Sequence, residues 1–400
     1  MRQKRLKVAI IAPPWLSLPV KGYGGIELVL QGLVQALADI PSIEVVLFAS
    51  GERKLRNVTT YSLFKKDQFE HIYEPYFETY ALVRAHLEFA YNTIKEMGDV
   101  DIVHDHTPHL GPAFWSTISA LVPKFPPVLH TFHGPPFKAA NVKSFGSVYN
   151  TADIKQIKDF GKFYASCISK AMAKTVPKNV RPRLVKPVHN AVDIDQFPFV
   201  SEKRNYFITM ARFAPYKGQH IAVQAAAKLK KRLRMAGSVA DITTNRRLLL
   251  ELANPVSKYR TDAQFRYYSD EILPYVLRYP KITFLGSLAG KKKMKFLSEA
   301  KALLFPIEWE EPFGMSVIEA LACGTPVIAM NRGAMPEIIQ HGVTGFLANN
   351  QEEFEEYMTR IDEIDPKACR ESVEKHFSVT TMAKHYTDRY REVIEKAKSN

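Results

Sequence analysis

F-P-I-E-W-E-E-P-F-G-M-S-V-I-E-A-L-A-C-G-T-P-V-I-A, from Phe305 to Ala329, sets two carboxylates, Glu311 and Glu319, on either side of Pro312-Phe313-Gly314. The apolar run Ala302–Pro306 before it reads as a buried strand, and Thr325–Ala329, after Cys323-Gly324, reads as another. Strand, loop, short helix, glycine stop and strand are the parts of an open α/β sheet, whose ligands bind at the carboxyl ends of the strands. Glu311 then falls in the loop and Glu319 in the first turn of the helix, both toward that crevice. Ser316-x-x-Glu319 also fits a capping box, a purely structural role. Glu311 has no such role, because a helix start needs none of Glu308, Glu310 and Glu311, while Pro312 and Gly314 shape the loop around it. The N–H groups of Gly314, Met315 and Ser316 are helix-start donors suited to an anion or to sugar hydroxyls.

Working outward, the first half alternates strand and helix patterns. Strands are expected at Lys7–Ala12, Glu44–Ala49, Asp101–His104, Val128–Phe132, Phe163–Ile168 and Arg183–His189, with helices at Gly25–Ile40 and Tyr76–Met97. Val192–Lys203 has no clear period and reads as a linker. The pattern then restarts: strand Tyr206–Ala211, helix Gln219–Arg234, a strand at Leu233–Ala236, strand Ile282–Leu285, helix Lys292–Ala300, then Ala302–Phe305, Thr325–Ala329 and Gly345–Leu347. Phe377–Lys398 reads as a charged amphipathic helix able to lie against either half. The expected fold class is α/β, with two Rossmann-like units of similar size and a cleft between them.

The 400 residues, 46% hydrophobic, can bury sizeable cores. Three scattered cysteines make no disulfide framework and favour a reducing compartment. The first apolar stretch meets Pro13 and Pro14 too soon for a signal peptide or a membrane span. A soluble, cytoplasmic protein is therefore expected. The net charge of +14 suits an anionic partner and leaves room for a peripheral contact with the inner face of the membrane. The basic runs Lys228–Arg234 and Lys291–Lys293 lack interleaved aromatics, so nucleic acid is not expected; both read as solvated.

Several loops could carry chemistry. Gly22-Tyr23-Gly24-Gly25 opens a helix after the first strand, and its backbone can approach a diphosphate, although it is not G-x-G-x-x-G. Arg212 and Lys217 follow the first strand of the second unit, where two fixed cations can neutralise a leaving diphosphate. His104-Asp105-His106 raises a metal site, but its histidines are read as pointing to opposite sides of a strand and no third ligand follows, so none is expected. His133, after a strand end, reads equally as structural or functional. The triplets Asp99–Asp101 and Asp193–Asp195 look incidental.

Together these pieces resemble the family-4 retaining glycosyltransferases of the GT-B fold. The likeness includes Gly22–Gly25 with Ile26-Glu27, Thr131–Gly134, Asn190–Asp193, Arg212 with Lys217, Phe284–Gly286, the Glu311…Glu319 pair, Gly333–Glu337 and Gly342–Phe346. It implies an acceptor domain over residues 1–189 joined by 377–400, a linker over 190–204 and a donor domain over 205–376. It implies that Glu311, with backbone amides from Phe313 to Met315, holds the donor sugar, and that Glu319 binds the ribose. Ser316 adds a helix-start amide, the base lies near Gly286, and Arg212 and Lys217 stabilise the departing diphosphate. The Gly24–Gly25 backbone would contact phosphate and His133 would lie beside the sugar. The donor is a nucleoside-diphosphate sugar, UDP- or GDP-linked, and no metal or other cofactor is required. The acceptor, whether glycan, lipid-linked or small molecule, is open, as is the oligomeric state. Ser238–Ala263 departs from the family pattern as an extra basic segment, read as a surface loop. Two rivals are a basic nucleotide-sugar-binding protein without turnover and a phosphorylase- or epimerase-like enzyme on the same fold.

Overall fold

The computed structural model describes residues 4–20, 25–73, 76–134, 154 and 157–399. Gly22, Tyr23 and Gly24 lie outside the described residues; Gly25 begins the first helix. The chain divides into two compact units. One runs to Ala191 and takes in the C-terminal helix, and the other is Val192–Ser378.

The first unit is built on six parallel strands: β1 (Leu6–Ile11), β2 (Ile43–Phe48), β3 (Thr59–Tyr61), β4 (Ile102–Asp105), β5 (Val128–Phe132) and β6 (Phe163–Cys167), in the order β3-β2-β1-β4-β5-β6. β4 and β5 are buried throughout, as expected of strands covered on both faces by crossover helices. The helix Gly25–Ala38 presents Val29, Leu30, Leu33, Val34 and Leu37 to the core, a 3.6-residue stripe. The C-terminal helix Val379–Ser399 packs in this unit, against Gly25–Ala38 and β5. It buries Met382, Tyr386, Tyr390 and Val393, on the order of 1.5–3 kcal/mol per large apolar side chain. Gly32 allows the crossing: a Cβ there would stand 2.7 Å from Val379 Cγ1.

The second unit repeats the plan with β7 (Arg204–Met210), β8 (Leu233–Ala236), β9 (Ile282–Phe284), β10 (Ala300–Phe305), β11 (Val327–Met330) and β12 (Gly345–Ala348), ordered β12-β11-β10-β7-β8-β9. In each sheet the winding reverses beside the first strand, between β1 and β4 and between β7 and β10. Those are the positions where an open parallel sheet takes its ligands. Val192–Lys203 is fastened to this unit. Arg370 donates to Phe197 O and Ala322 O, and Lys203 Nζ donates to Ser298 O, Cys323 O and Thr325 Oγ1.

Four local expectations fail. Arg183–His189 is not a strand: Arg181–Arg183 forms a 3-10 turn, and of the run beyond it Leu184 alone makes an isolated bridge, to Ala165. Pro182 and Pro187 supply no N–H for a ladder. The helix from Gln219 ends at Lys228, not Arg234, because Lys230 turns left-handed (φ 53°) before β8. The basic run there is divided: Lys228 pairs with Glu355 at 2.6 Å, and Arg234 stacks 4.2 Å over the Tyr206 ring. Ser238–Ala263 is not a plain surface loop. It carries a helix, Asn245–Ala253, capped by Thr244, with Leu248 and Tyr259 buried. Lastly, His104 and His106 share one side of the chain, with His106 Nε2 3.2 Å from His104 Nδ1. Side chains two apart on a strand face the same way. Asp105, on the other side, meets His130 of the neighbouring strand.

Candidate functional site

In the second unit the loops after β7 and β10 meet at the switch point. Arg212 leaves β7, and Pro215–Lys217 forms a 3-10 turn that Gly218 closes in a left-handed conformation (φ 68°). Gly218 lies so close to the β10 loop that a Cβ would be 1.7 Å from Pro306 O, and Glu308 N donates to Tyr216 O at 2.9 Å. This docking carries Lys217 to Glu311: its Nζ donates to Oε2 at 2.5 Å. Trp309 Nε1 donates to the same oxygen at 2.9 Å. The ammonium also sits 5.0 Å from the Trp309 ring centroid and 5.7 Å from that of Tyr216, a cation–π setting. The other Glu311 oxygen takes no hydrogen bond from the described residues. Gly333 lies against the Glu311 backbone, where a Cβ would come within 2.4 Å of its N, and Ala334 N donates to Glu311 O.

Gly314, left-handed at φ 100°, opens the helix Met315–Ala322 with no side-chain cap. The expected capping box does not form. Gly314 holds the N-cap position, so Ser316 is already inside the helix and Glu319 lies in its second turn, not its first. The N–H groups of Gly314, Met315 and Ser316 find no backbone acceptor among the described residues, as at any helix start. Phe313 is buried and meets Phe377. Glu319 is also buried, and Lys293 Nζ donates to its Oε1 at 2.6 Å. Burial raises its carboxyl above the ordinary value, and Lys293 opposes that rise. Lys293 belongs to the run expected to be solvated, so that reading fails at this residue. The Arg212 side chain is exposed and makes no hydrogen bond or ion pair among the described residues. Gly286 (φ 76°) is held beside Thr243, where a Cβ would be 2.7 Å from its carbonyl oxygen, and Ser287 N donates to that oxygen.

The structure thus gathers Glu311, Lys217, Phe313, Gly314, Met315, Ser316 and Glu319 around one loop and helix start. Trp309 and Lys293 escaped the sequence reading. The former looked like one more apolar residue and the latter like one of three equivalent lysines.

In the first unit His133 follows β5, and its Nε2 lies 2.7 Å from His106 Nδ1. His106 Nε2 lies on His104 Nδ1, which also meets the Tyr390 hydroxyl at 2.8 Å. Burial lowers the basicity of all three rings, that of His133 to about 3. Among the described residues nothing lies within 4 Å of where a Cβ on Gly25 would stand. Among the described residues no group of three or more His, Cys, Asp or Glu side chains could hold a metal ion, and no helix is long and apolar enough to cross a membrane. Asp99 and Asp101 are occupied by Lys7, and Asp193 starts a 3-10 turn.

Residues 23–196 match the family model described as Glycosyltransferase Family 4, and residues 192–375 match Glycosyl transferases group 1. An uncharacterized 41.2 kDa protein in the cps region of Klebsiella pneumoniae is 31% identical over 120 residues, a stretch covering 28% of this chain and about a third of that relative (32%). An uncharacterized glycosyltransferase of Methanocaldococcus jannaschii is 22% identical over 366 residues, covering 85% of this chain and 84% of its own. Among solved structures, the sucrose-phosphate synthase of Thermosynechococcus elongatus superposes with a TM-score of 0.73 at 19% identity, over 98% of this chain and 100% of that one. The Anabaena protein HepE, in complex with UDP and glucose, gives 0.63 at 16% identity over 97% and 100%. At such identities these structures speak to the fold. Two models that together run from residue 23 to residue 375, on two sheets of one shared strand order, make this chain a member of the family-4 glycosyltransferases of the GT-B fold.

Proposed function

We propose that the protein moves a sugar, with retention, from a nucleoside-diphosphate sugar to a hydroxyl of a glycan, lipid-linked or small-molecule acceptor, without a metal ion. The observation that carries this reading is the cluster at the β7–β10 switch point: Lys217 on Glu311, an unpaired Arg212 nearby in the chain, and unclaimed helix-start amides. Fixed cations and amides of this kind stabilise a leaving diphosphate as charge develops on it. The free oxygen of Glu311 suits sugar hydroxyls, and Glu319 suits the ribose. His133, Gly24, Gly25 and Gly286 take the roles the family resemblance gives them. The bond from anomeric carbon to phosphate oxygen breaks with oxocarbenium character. The acceptor oxygen attacks on the same face, and its proton passes to the departing phosphate. HepE, solved with UDP and glucose, supports a uridine-linked donor. Three buried, unpaired cysteines are consistent with a reducing, cytoplasmic setting.

Release of nucleoside diphosphate from a panel of UDP- and GDP-sugars, with and without acceptors and with chelator present, tests the reading. Lys217→Ala and Arg212→Ala are expected to lower kcat by about a hundredfold or more. Near-normal turnover in both variants would sink the assignment. Binding without release across the panel favours the non-catalytic sugar-nucleotide binder.

A further inference from the structure

Trp309 is buried and is tied to Glu311 twice. Glu311 N donates to the Trp309 carbonyl oxygen at 3.0 Å, and the indole Nε1–H donates to Glu311 Oε2 at 2.9 Å. The indole ring meets that of Tyr216 edge-on, with centroids 5.4 Å apart, and lies 5.0 Å from the Lys217 ammonium. It is thus packed against the turn after β7.

Two donors converge on one carboxylate oxygen, since Lys217 Nζ also donates to Oε2, at 2.5 Å. A carboxylate oxygen has two lone pairs, so Oε2 accepts both bonds and is then full. Oε1 takes none among the described residues, and it is not sealed from solvent: the Glu311 side chain keeps 11% of its surface exposed. The two donors differ in what holds them. Lys217 carries a charge and three N–H groups on a flexible stem, so an arriving diphosphate draws it. Trp309 carries no charge and has one N–H, fixed in the plane of a packed ring. A diphosphate pulls on the first and leaves the second in place.

We infer that Trp309 is the positioning residue of Glu311: its N–H keeps Oε2 occupied while Lys217 engages the diphosphate, so that Glu311 holds its orientation and offers Oε1 to a sugar hydroxyl. Lys217 here meets the diphosphate and Glu311 the sugar, as in the proposed function on which this rests. The N–H then matters when sugar and diphosphate are bound together, not when the diphosphate is bound alone. A packing role would make no such distinction.

The test removes the N–H alone. In the full-length protein Trp309 is replaced by β-(3-benzothienyl)alanine, which puts sulfur in place of the N–H and keeps the bicyclic ring. Calorimetry measures UDP and GDP, then UDP-glucose, UDP-N-acetylglucosamine and GDP-mannose, on this variant and on wild type. The nucleoside diphosphate should bind within about twofold of wild type. Its sugar-linked form should bind about tenfold more weakly, the loss of one hydrogen bond to a charged group, and kcat/KM should fall by a similar factor. Equal losses for the two ligands, or undiminished sugar-nucleotide affinity, overturn the inference. In Glu311→Ala the same replacement should cost nothing further in sugar-nucleotide affinity. A second tenfold loss there means that Trp309 does not act through Glu311, and overturns it too. A wild type that binds sugar nucleotide without releasing diphosphate removes the proposed transfer, while the affinities still decide the role of Trp309. A wild type that binds none of the panel removes both.

Discussion

Glu319 shows how much one residue's role depends on its surroundings. Its sequence position suggests a helix cap, yet it lies one turn further on, buried against Lys293. Because burial raises its carboxyl, there is a pH window just above the unfolded value in which the folded protein holds a proton that the unfolded chain has released. The contribution of Glu319 to stability is therefore full below the unfolded value, about 4.5, and falls as pH rises toward the folded one. Lys293→Met removes the opposing cation and should carry that loss further. Urea unfolding should show a difference from wild type below about 1 kcal/mol near pH 4, growing to about 3 kcal/mol near pH 7.5, the cost of an unpartnered buried charge. A pH-independent difference would contradict this account. Glu311 and Lys217 are legible in the sequence as a loop acid and a loop cation. Their contact, and the Trp309 N–H that completes it, are not, since nothing in a one-dimensional pattern says which loops touch.

At the scale of elements, the turn after β7 and the loop after β10 are matched surfaces. Gly218 is a point of close approach between them, and it needs glycine for two separate reasons, its left-handed φ and the missing Cβ. Gly342 shares the first reason (φ 77°) but has open space around it. Gly342→Ala should then cost about 1 kcal/mol, the left-handed penalty alone. Gly218→Ala should cost about 2–4 kcal/mol, since the turn must also move. It should lower turnover too, by shifting Lys217 from Glu311. Thermal unfolding of the two variants side by side checks the difference, and equal costs would refute the close approach. Elements with unbroken apolar runs, such as Val327–Met330, are legible in the amino-acid sequence alone, because burial on both faces leaves no polar position to interrupt the run. Arg183–His189 misleads because its apolar content hides a proline, Pro187, that cannot serve a ladder. Gln219–Arg234 misleads because a strongly basic run hides a turn and the start of a buried strand.

For the whole molecule, the charge of +14 makes association with anionic surfaces the natural expectation. Cosedimentation with vesicles containing phosphatidylglycerol should rise above that with neutral vesicles and fall away as salt increases; equal recovery on both would remove the peripheral-membrane expectation. The sequence by itself determined the α/β class, the two-fold repetition of the sheet plan and the loops in which the candidate site residues lie. Those properties are local, written in apolar runs, glycine stops and the order of the pieces. Only the tertiary structure decided that Lys217 rests on Glu311, that Lys293 answers Glu319, and that Tyr390, almost three hundred residues from His104, reaches its ring. Such partners are chosen by strand order, by the left-handed turns that let loops approach, and by the return of the C-terminal helix to the first sheet. None of these leaves a periodic mark on the chain.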